Sequence, residues 1–270
     1  MTGTPAPAIG DPAFIDLALQ LADASGPVIL DYFRTNPAVE RKDDASPVTR
    51  ADRESETVLR QTLAAEVPSH GIFGEEYGSE RLDAEYIWVL DPIDGTRSFI
   101  NGIPLFGTLI ALTRNGAPVL GVIDHPALGE RWLGVAGAPT VHWGRGDDGA
   151  PVQVRACDGL DQALLCTTSP EMFSSDQVGR YRQVQAAVRY PRFGTDCYAY
   201  SMLASGQTDL IVEAGMQPYD YLALAAVVAG AGGVITDWHG APLTLDSPGT
   251  VVAAGDARVH AAALEILSAG

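Results

Sequence analysis

Residues 88–99 read Trp88-Val89-Leu90-Asp91-Pro92-Ile93-Asp94-Gly95-Thr96-Arg97-Ser98-Phe99. The apolar lead-in, which starts at Tyr86, predicts a strand that delivers Asp91 to its end, where Pro92 removes a backbone donor and stops the ladder. Gly95 permits a sharp turn, and Thr96 has the chemistry of an N-cap for a short helix. Two carboxylates are thereby expected side by side at a strand terminus, next to the N–H groups that a helix start leaves open. Such a pair can hold a hard cation through oxygen. The pattern D-P-x-D-G is also ordinary turn chemistry, but like charges crowded at an apolar strand end are costly without a cation.

Three other segments offer acids of the same kind. Gly74-Glu75-Glu76 follows the apolar Ile72-Phe73. Ser46-Pro47-Val48-Thr49-Arg50-Ala51-Asp52 ends a loop and opens a helix, where Asp52 also suits the helix dipole. Pro218-Tyr219-Asp220-Tyr221 opens an apolar helix that Gly230-Ala231-Gly232-Gly233 closes, and Asp220 there reads equally well as an ordinary early-helix acid.

Apolar spacing predicts a first helix over 12–34, with Pro12 in its first turn and a bend at Pro27. A polar loop over 42–47 leads to a second helix over 50–67, with Val58, Leu59 and Leu63 inward and Pro68 as its stop. Strands at 86–90, 108–113, 119–123 and 131–135, with turns at Asn115-Gly116 and Ala127-Leu128-Gly129, predict an antiparallel meander. The run Gly144-Arg145-Gly146-Asp147-Asp148-Gly149 is the best candidate for a subdomain boundary. It would divide the chain into an N-terminal α+β part, 1–145, and a C-terminal α/β part, 146–270. In the latter, strands at 164–167, 210–213, 234–236 and 251–253 alternate with helices at 176–188, 197–204, 222–231 and 258–268.

The 270 residues are 46% hydrophobic and 19% charged, the balance of a globular protein with a sizeable core. A formal net charge of −17 disfavours nucleic acid and anionic membrane as partners, and any phosphate substrate would need a local positive centre such as a bound cation. Three scattered cysteines, Cys157, Cys166 and Cys197, suit a reducing, cytoplasmic setting and argue against structural zinc. The five histidines form no H-x-x-x-H pair. No apolar run is expected to span a membrane, and residues 1–10 read as a disordered start rather than a signal peptide.

Taken in this order, G-E-E at 74–76, W-x-x-D-P-I-D-G-T-x-x-F at 88–99, and the late aromatic-Asp of Tyr219-Asp220 running on to Ala231-Gly232-Gly233 resemble the inositol monophosphatase-like superfamily, over nearly the whole chain. That resemblance implies an α/β fold, a layered α/β/α/β/α sandwich, commonly as a homodimer. It also implies magnesium-dependent hydrolysis of a small phosphomonoester, with two or three Mg2+ ions in the site. Glu75, Asp91, Asp94, Asp220 and the carbonyl of Ile93 would be the ligands. Glu75 would also hold the attacking water, which Thr96, oriented by Asp52, would position and deprotonate. Asp94, Gly95 and Thr96 would bind phosphate, the last two through backbone N–H groups.

Further segments resemble the histidinol-phosphate phosphatases within that superfamily: 165–173, 193–200, and 218–223 with 235–238. Inositol-directed relatives generally carry a small residue where this chain has Asp196, and Trp where it has Tyr219. Asp196, helped by Glu213 and Asp220, would pair with the ammonium and imidazolium of histidinol phosphate. Asp196 reads equally well as the N-cap of the helix at 197–204. The alternatives are an inositol, sugar or nucleotide monophosphatase, or a non-catalytic relative. The last conflicts with the retention of Glu75, Asp91, Asp94, Thr96 and Asp220.

Overall fold

The structure is a computed structural model that describes residues 10–35, 39–41, 47–146 and 148–269, with backbone only at 39–41 and 47–49. The expected disordered start, but for Gly10, and the expected polar loop, but for Pro47, lie outside the described residues. Along the chain the elements are α1 (Pro12–Tyr32), β1 (Val39–Arg41), β2 (Pro47–Thr49), α2 (Arg50–Glu66), β3 (Gly71–Gly74), β4 (Gly78–Glu80), β5 (Tyr86–Asp94) and α3 (Thr96–Ile100). The meander follows as β6 (Gly107–Arg114), β7 (Ala117–His125), β8 (Glu130–Val135), β9 (Val141–Trp143) and β10 (Ala150–Pro151). The remainder is β11 (Leu164–Thr167), α4 (Ser175–Ala187), β12 (Tyr190–Phe193), α5 (Tyr198–Ala204), β13 (Leu210–Glu213), α6 (Pro218–Gly230), β14 (Val234–Thr236), β15 (Val251–Ala254) and α7 (Ala257–Leu267).

Eight strands form one sheet in the order β10-β9-β8-β7-β6-β5-β3-β4, antiparallel except for the β3–β5 pair. Asn115 and Gly116 both take positive φ between β6 and β7, the two-residue hairpin turn their sequence calls for. Five strands form a second sheet, β12-β11-β13-β15-β14. Gly144 and Gly149 fall between β9 and β10, the last two strands of the larger sheet.

Side-chain alternation along β5 sorts the layers. Trp88 and Leu90 join Phe14, Leu17 and Leu21 of α1 and Leu59 and Leu63 of α2 in one core. Ile87 and Val89 point the other way, toward α5 and α6, which pack between the two sheets. The far face of the second sheet is covered by α4 and α7 through Tyr181, Val184, Val259 and Ala263. The result is the expected α/β/α/β/α sandwich. Helix α6, buried on both sides, is apolar all round, as a sandwiched helix must be. It lies directly on sheet backbone: a Cβ at Gly121 or Gly134 would overlap the main chain of Ala223 or Ala226.

Three expectations are corrected. Pro92 does not end β5, because a register shift between Asp91 and Asp94 takes the proline out of the ladder while Thr108 Oγ1 donates to its carbonyl at 2.9 Å. Helix α1, which contains Pro27, is long and apolar enough, by length and composition, to cross a membrane, although its apolar side packs on α2 and the large sheet. Thr96 is not the N-cap of α3; Gly95 is, in a left-handed conformation with φ 81°.

Candidate active site

The alternation that sends Ile87 and Val89 toward α6 sends Asp91 to the same side, and the bulge after it brings Asp94 round as well. Helix α6 points its first turn at them. Asp220, the third residue of α6, accepts the N–H of Gln217 at 2.7 Å, so it caps its own helix and faces the two β5 acids with the rest of its carboxylate. One oxygen from each of Asp91, Asp94 and Asp220 lies within 4.8 Å of the others. Asp91 also accepts the N–H of Ile93 at 3.1 Å, and Asp94 that of Cys197 at 2.8 Å.

Glu75 stands in the turn between β3 and β4, with its N–H on the carbonyl of Leu90 at 3.2 Å. It lines a cavity of about 270 Å³ together with Asp94, Gly95, Thr96, Arg97, Thr168, Asp196, Glu213 and Asp220. Asp52, in the first turn of α2, is buried and close enough to Asp91 to disfavour its charge. The sequence-predicted acids, spread from residue 52 to residue 220, are thus one cluster.

Without a counter-ion that cluster resists ionisation. Burial, then the charges of Glu75, Asp94, Asp220 and Asp52, push the Asp91 carboxyl well above the usual carboxylate range. Asp220 is pushed up in the same way, by burial and then by Asp94. Burial and the neighbouring Asp196 push Asp94 up to about 7, against the Cys197 N–H, which stabilises its anion. Carboxylates that share one space, Asp91 buried and Asp94 and Asp220 half-buried, and that offer only oxygen fit a hard divalent cation.

The hydroxyl of Thr96 donates to the carbonyl of Ile93 at 3.1 Å, which fixes that oxygen while leaving a second lone pair. Asp196 departs from the N-cap reading. Helix α5 starts at Tyr198 with no side-chain cap, and Asp196, at φ 45°, turns its carboxylate back to accept the Ser98 hydroxyl. Its side chain lies against Gly95, where a Cβ would come within 3.0 Å. Glu213, at the end of β13, is buried and held by Thr168 N–H at 3.0 Å and Tyr200 OH at 2.9 Å.

Sequence reasoning assigned no role to Arg97, the one cationic side chain lining the cavity among the described residues, although it sits inside the quoted motif. It also assigned none to Ser98, Thr168, Met172 or Met216. Ser98 and Thr168 are hydrogen-bonded to Asp196 and Glu213, which the sequence did single out; Met172 and Met216 carry no such signal.

The Inositol monophosphatase family profile matches residues 13–269. The chain is 48% identical over 256 residues to the chloroplastic bifunctional phosphatase IMPL2 of Arabidopsis thaliana, covering 92% of this chain and 72% of that protein. It is 39% identical over 244 residues to a histidinol-phosphatase of Chlorobaculum parvum, covering 88% and 91% respectively. Its structure superposes on an inositol monophosphatase from Zymomonas mobilis with a TM-score of 0.86 at 44% identity, over 95% of this chain and 98% of that one. Profile, relatives, fold and acid cluster agree: the chain belongs to the inositol monophosphatase family, phosphatases that are generally metal-dependent.

Proposed function

We propose that this protein is a magnesium-dependent phosphomonoesterase whose preferred substrate is histidinol phosphate. The observation that carries the reading is the pairing, in one cavity, of an acid cluster suited to metal with two further carboxylates, Asp196 and Glu213, suited to an organic cation. Asp91, Asp94, Asp220, Glu75 and the Ile93 carbonyl would hold magnesium, which keeps several waters and binds alongside phosphate oxygens. When bound it supplies Lewis-acid polarisation of the phosphoryl group and a more acidic water.

The chain's own residues supply the rest. Gly95 and Thr96 direct backbone N–H groups from the start of α3 toward the phosphoryl oxygens and hold them in line for displacement. Thr96 would position the attacking water, its hydroxyl taking that water's proton as it passes its own to the Asp52 carboxylate. Glu213, fixed by Thr168 and Tyr200, offers the leaving group a carboxylate that needs no reorganisation, and Asp196 does the same from its anchor on Ser98. A neutral polyol gains little from these two charges. The 39% identity to a histidinol-phosphatase supports the same choice.

An inositol or broader sugar monophosphatase is the second reading, favoured by the 44% identity to an inositol monophosphatase. Rates of phosphate release from histidinol phosphate, inositol 1-phosphate and adenosine 3′,5′-bisphosphate, measured side by side in magnesium, separate the two. The proposal expects kcat/KM to be highest for histidinol phosphate by at least about tenfold, roughly one charge-assisted hydrogen bond. Equal or higher values for inositol 1-phosphate would overturn the substrate assignment.

A further inference from the structure

Glu56 is an acid with no part in the chemistry above, yet its side chain is fully buried. It lies one helical turn beyond Asp52 on the same face of α2. Its carboxylate reaches across to the turn that joins β3 to β4. There it accepts the N–H of Glu76 at 2.7 Å and the N–H of Tyr77 at 3.2 Å. Arg60 closes the arrangement, donating to Glu56 at 2.7 Å and also to Glu80 and the carbonyl of Gly78. The two backbone groups immediately after Glu75 are therefore clamped by one buried side chain, while the N–H of Glu75 itself is tied to Leu90.

Three donors converge on this side chain, so only a group that accepts at both oxygens satisfies them all. A glutamine would turn its NH2 either toward Glu76 N–H or toward both Tyr77 N–H and Arg60. The hairpin needs such a clamp, because Gly78, Ser79 and Glu80 of β4 are all exposed and contribute no core packing. Gly74 completes the fit: a Cβ there would overlap the Glu56 carboxylate. We infer that Glu56 is the positioning residue that fixes Glu75 for metal binding, with Gly74 keeping the space it occupies. The inference rests on the proposed role of Glu75 as a metal ligand.

The test is calorimetric titration of magnesium and manganese into substrate-free protein, for the wild type, Glu56→Gln, Gly74→Ala and Glu75→Gln. Glu56→Gln removes an acceptor, and Gly74→Ala displaces the carboxylate without changing it. Both are expected to weaken metal binding about 10–100-fold. Phosphate release by the same two variants should return to within about threefold of the wild-type kcat once magnesium is saturating, since no reacting group is lost. Metal affinity within about twofold of wild type, with only a lower thermal midpoint, would reduce Glu56 to a packing role and overturn the inference. Should Glu75→Gln weaken binding while the other two variants do not, the positioning role fails and the ligand role stands. Unchanged binding in Glu75→Gln sinks both. If Glu56→Gln does not fold, with Arg60 left facing an amide, Gly74→Ala carries the same comparison.

Discussion

At the scale of single residues, the site is a set of like charges whose arrangement is unfavourable alone and favourable around a cation. Asp196 differs from the rest because its oxygen is already occupied by Ser98 and its charge is favoured by Arg97, although burial pushes its carboxyl up. It is therefore an anchored anion at the cavity wall rather than a member of the Asp91–Asp94–Asp220 cluster. Asp196→Ala should raise KM for histidinol phosphate about tenfold or more, the value of one charge-assisted contact, while leaving KM for β-glycerophosphate within about twofold. Parallel steady-state measurements on the two substrates check this, and equal changes would remove Asp196 from recognition. The sequence exposed the identity of these residues better than their local roles. Asp196 looked like an N-cap because it directly precedes the helix expected at 197–204, but its left-handed backbone and its Ser98 partner on α3 are tertiary facts. Glu56 was invisible for the same reason: nothing in α2 marks it apart from other helical glutamates, and the backbone groups it holds, at Glu76 and Tyr77, lie 20 and 21 residues away in the chain.

At the scale of elements, the approach of α6 to the large sheet decides where Asp220 stands. Gly121 and Gly134 leave the room that Ala223 and Ala226 fill. Gly134→Val should cost about 1–3 kcal/mol of stability through overpacking, and should weaken magnesium binding as α6 lifts and carries Asp220 away from Asp91. Denaturant unfolding with and without magnesium checks both halves: a stability loss with the magnesium increment intact would show that α6 does not transmit the strain. Elements with an unbroken apolar pattern were legible. The meander strands, the C-terminal strands and the helices all lie within a few residues of their expected bounds. The strands β3, β4, β9, β10 and β12 were not: Gly, His, Pro or charged residues interrupt their apolar pattern, unlike the equally short β11, β13 and β15, so their pairing rests on distant neighbours. Proline at position 92 misled for a related reason: it blocks a regular ladder, and the bulge that accommodates it is set by the partner strand.

At the scale of the whole molecule, the excess of acid couples stability to pH and metal. Asp94 has its folded pKa raised to about 7 from the ordinary carboxylate value near 4, so its contribution is fully present below about pH 4 and is lost as pH rises through about 7. Asp91 and Asp220 shift in the same direction. His125 works the other way. Buried between Phe106 O and Ser201, it is pushed down to about 4, so its contribution is lost as pH falls from about 6.5 to about 4. Comparing the protein with and without magnesium cancels the histidine part. The difference in unfolding free energy, read from denaturant unfolding, should be small at pH 5 and should grow toward pH 8, approaching about 2.7 kcal/mol when magnesium is a hundredfold above its dissociation constant. A difference independent of pH would mean that protons and metal do not compete for the same carboxylates.

The most direct measurement is the initial rate of phosphate release from histidinol phosphate as magnesium is titrated into chelator-stripped protein, for the wild type and Asp91→Asn. The account predicts no release without the ion, saturable activation of the wild type, and loss of nearly all turnover in Asp91→Asn, whose aspartate lies within 4.8 Å of both Asp94 and Asp220. Full activity in chelator, or a near wild-type rate for Asp91→Asn at the same magnesium concentration, would contradict it.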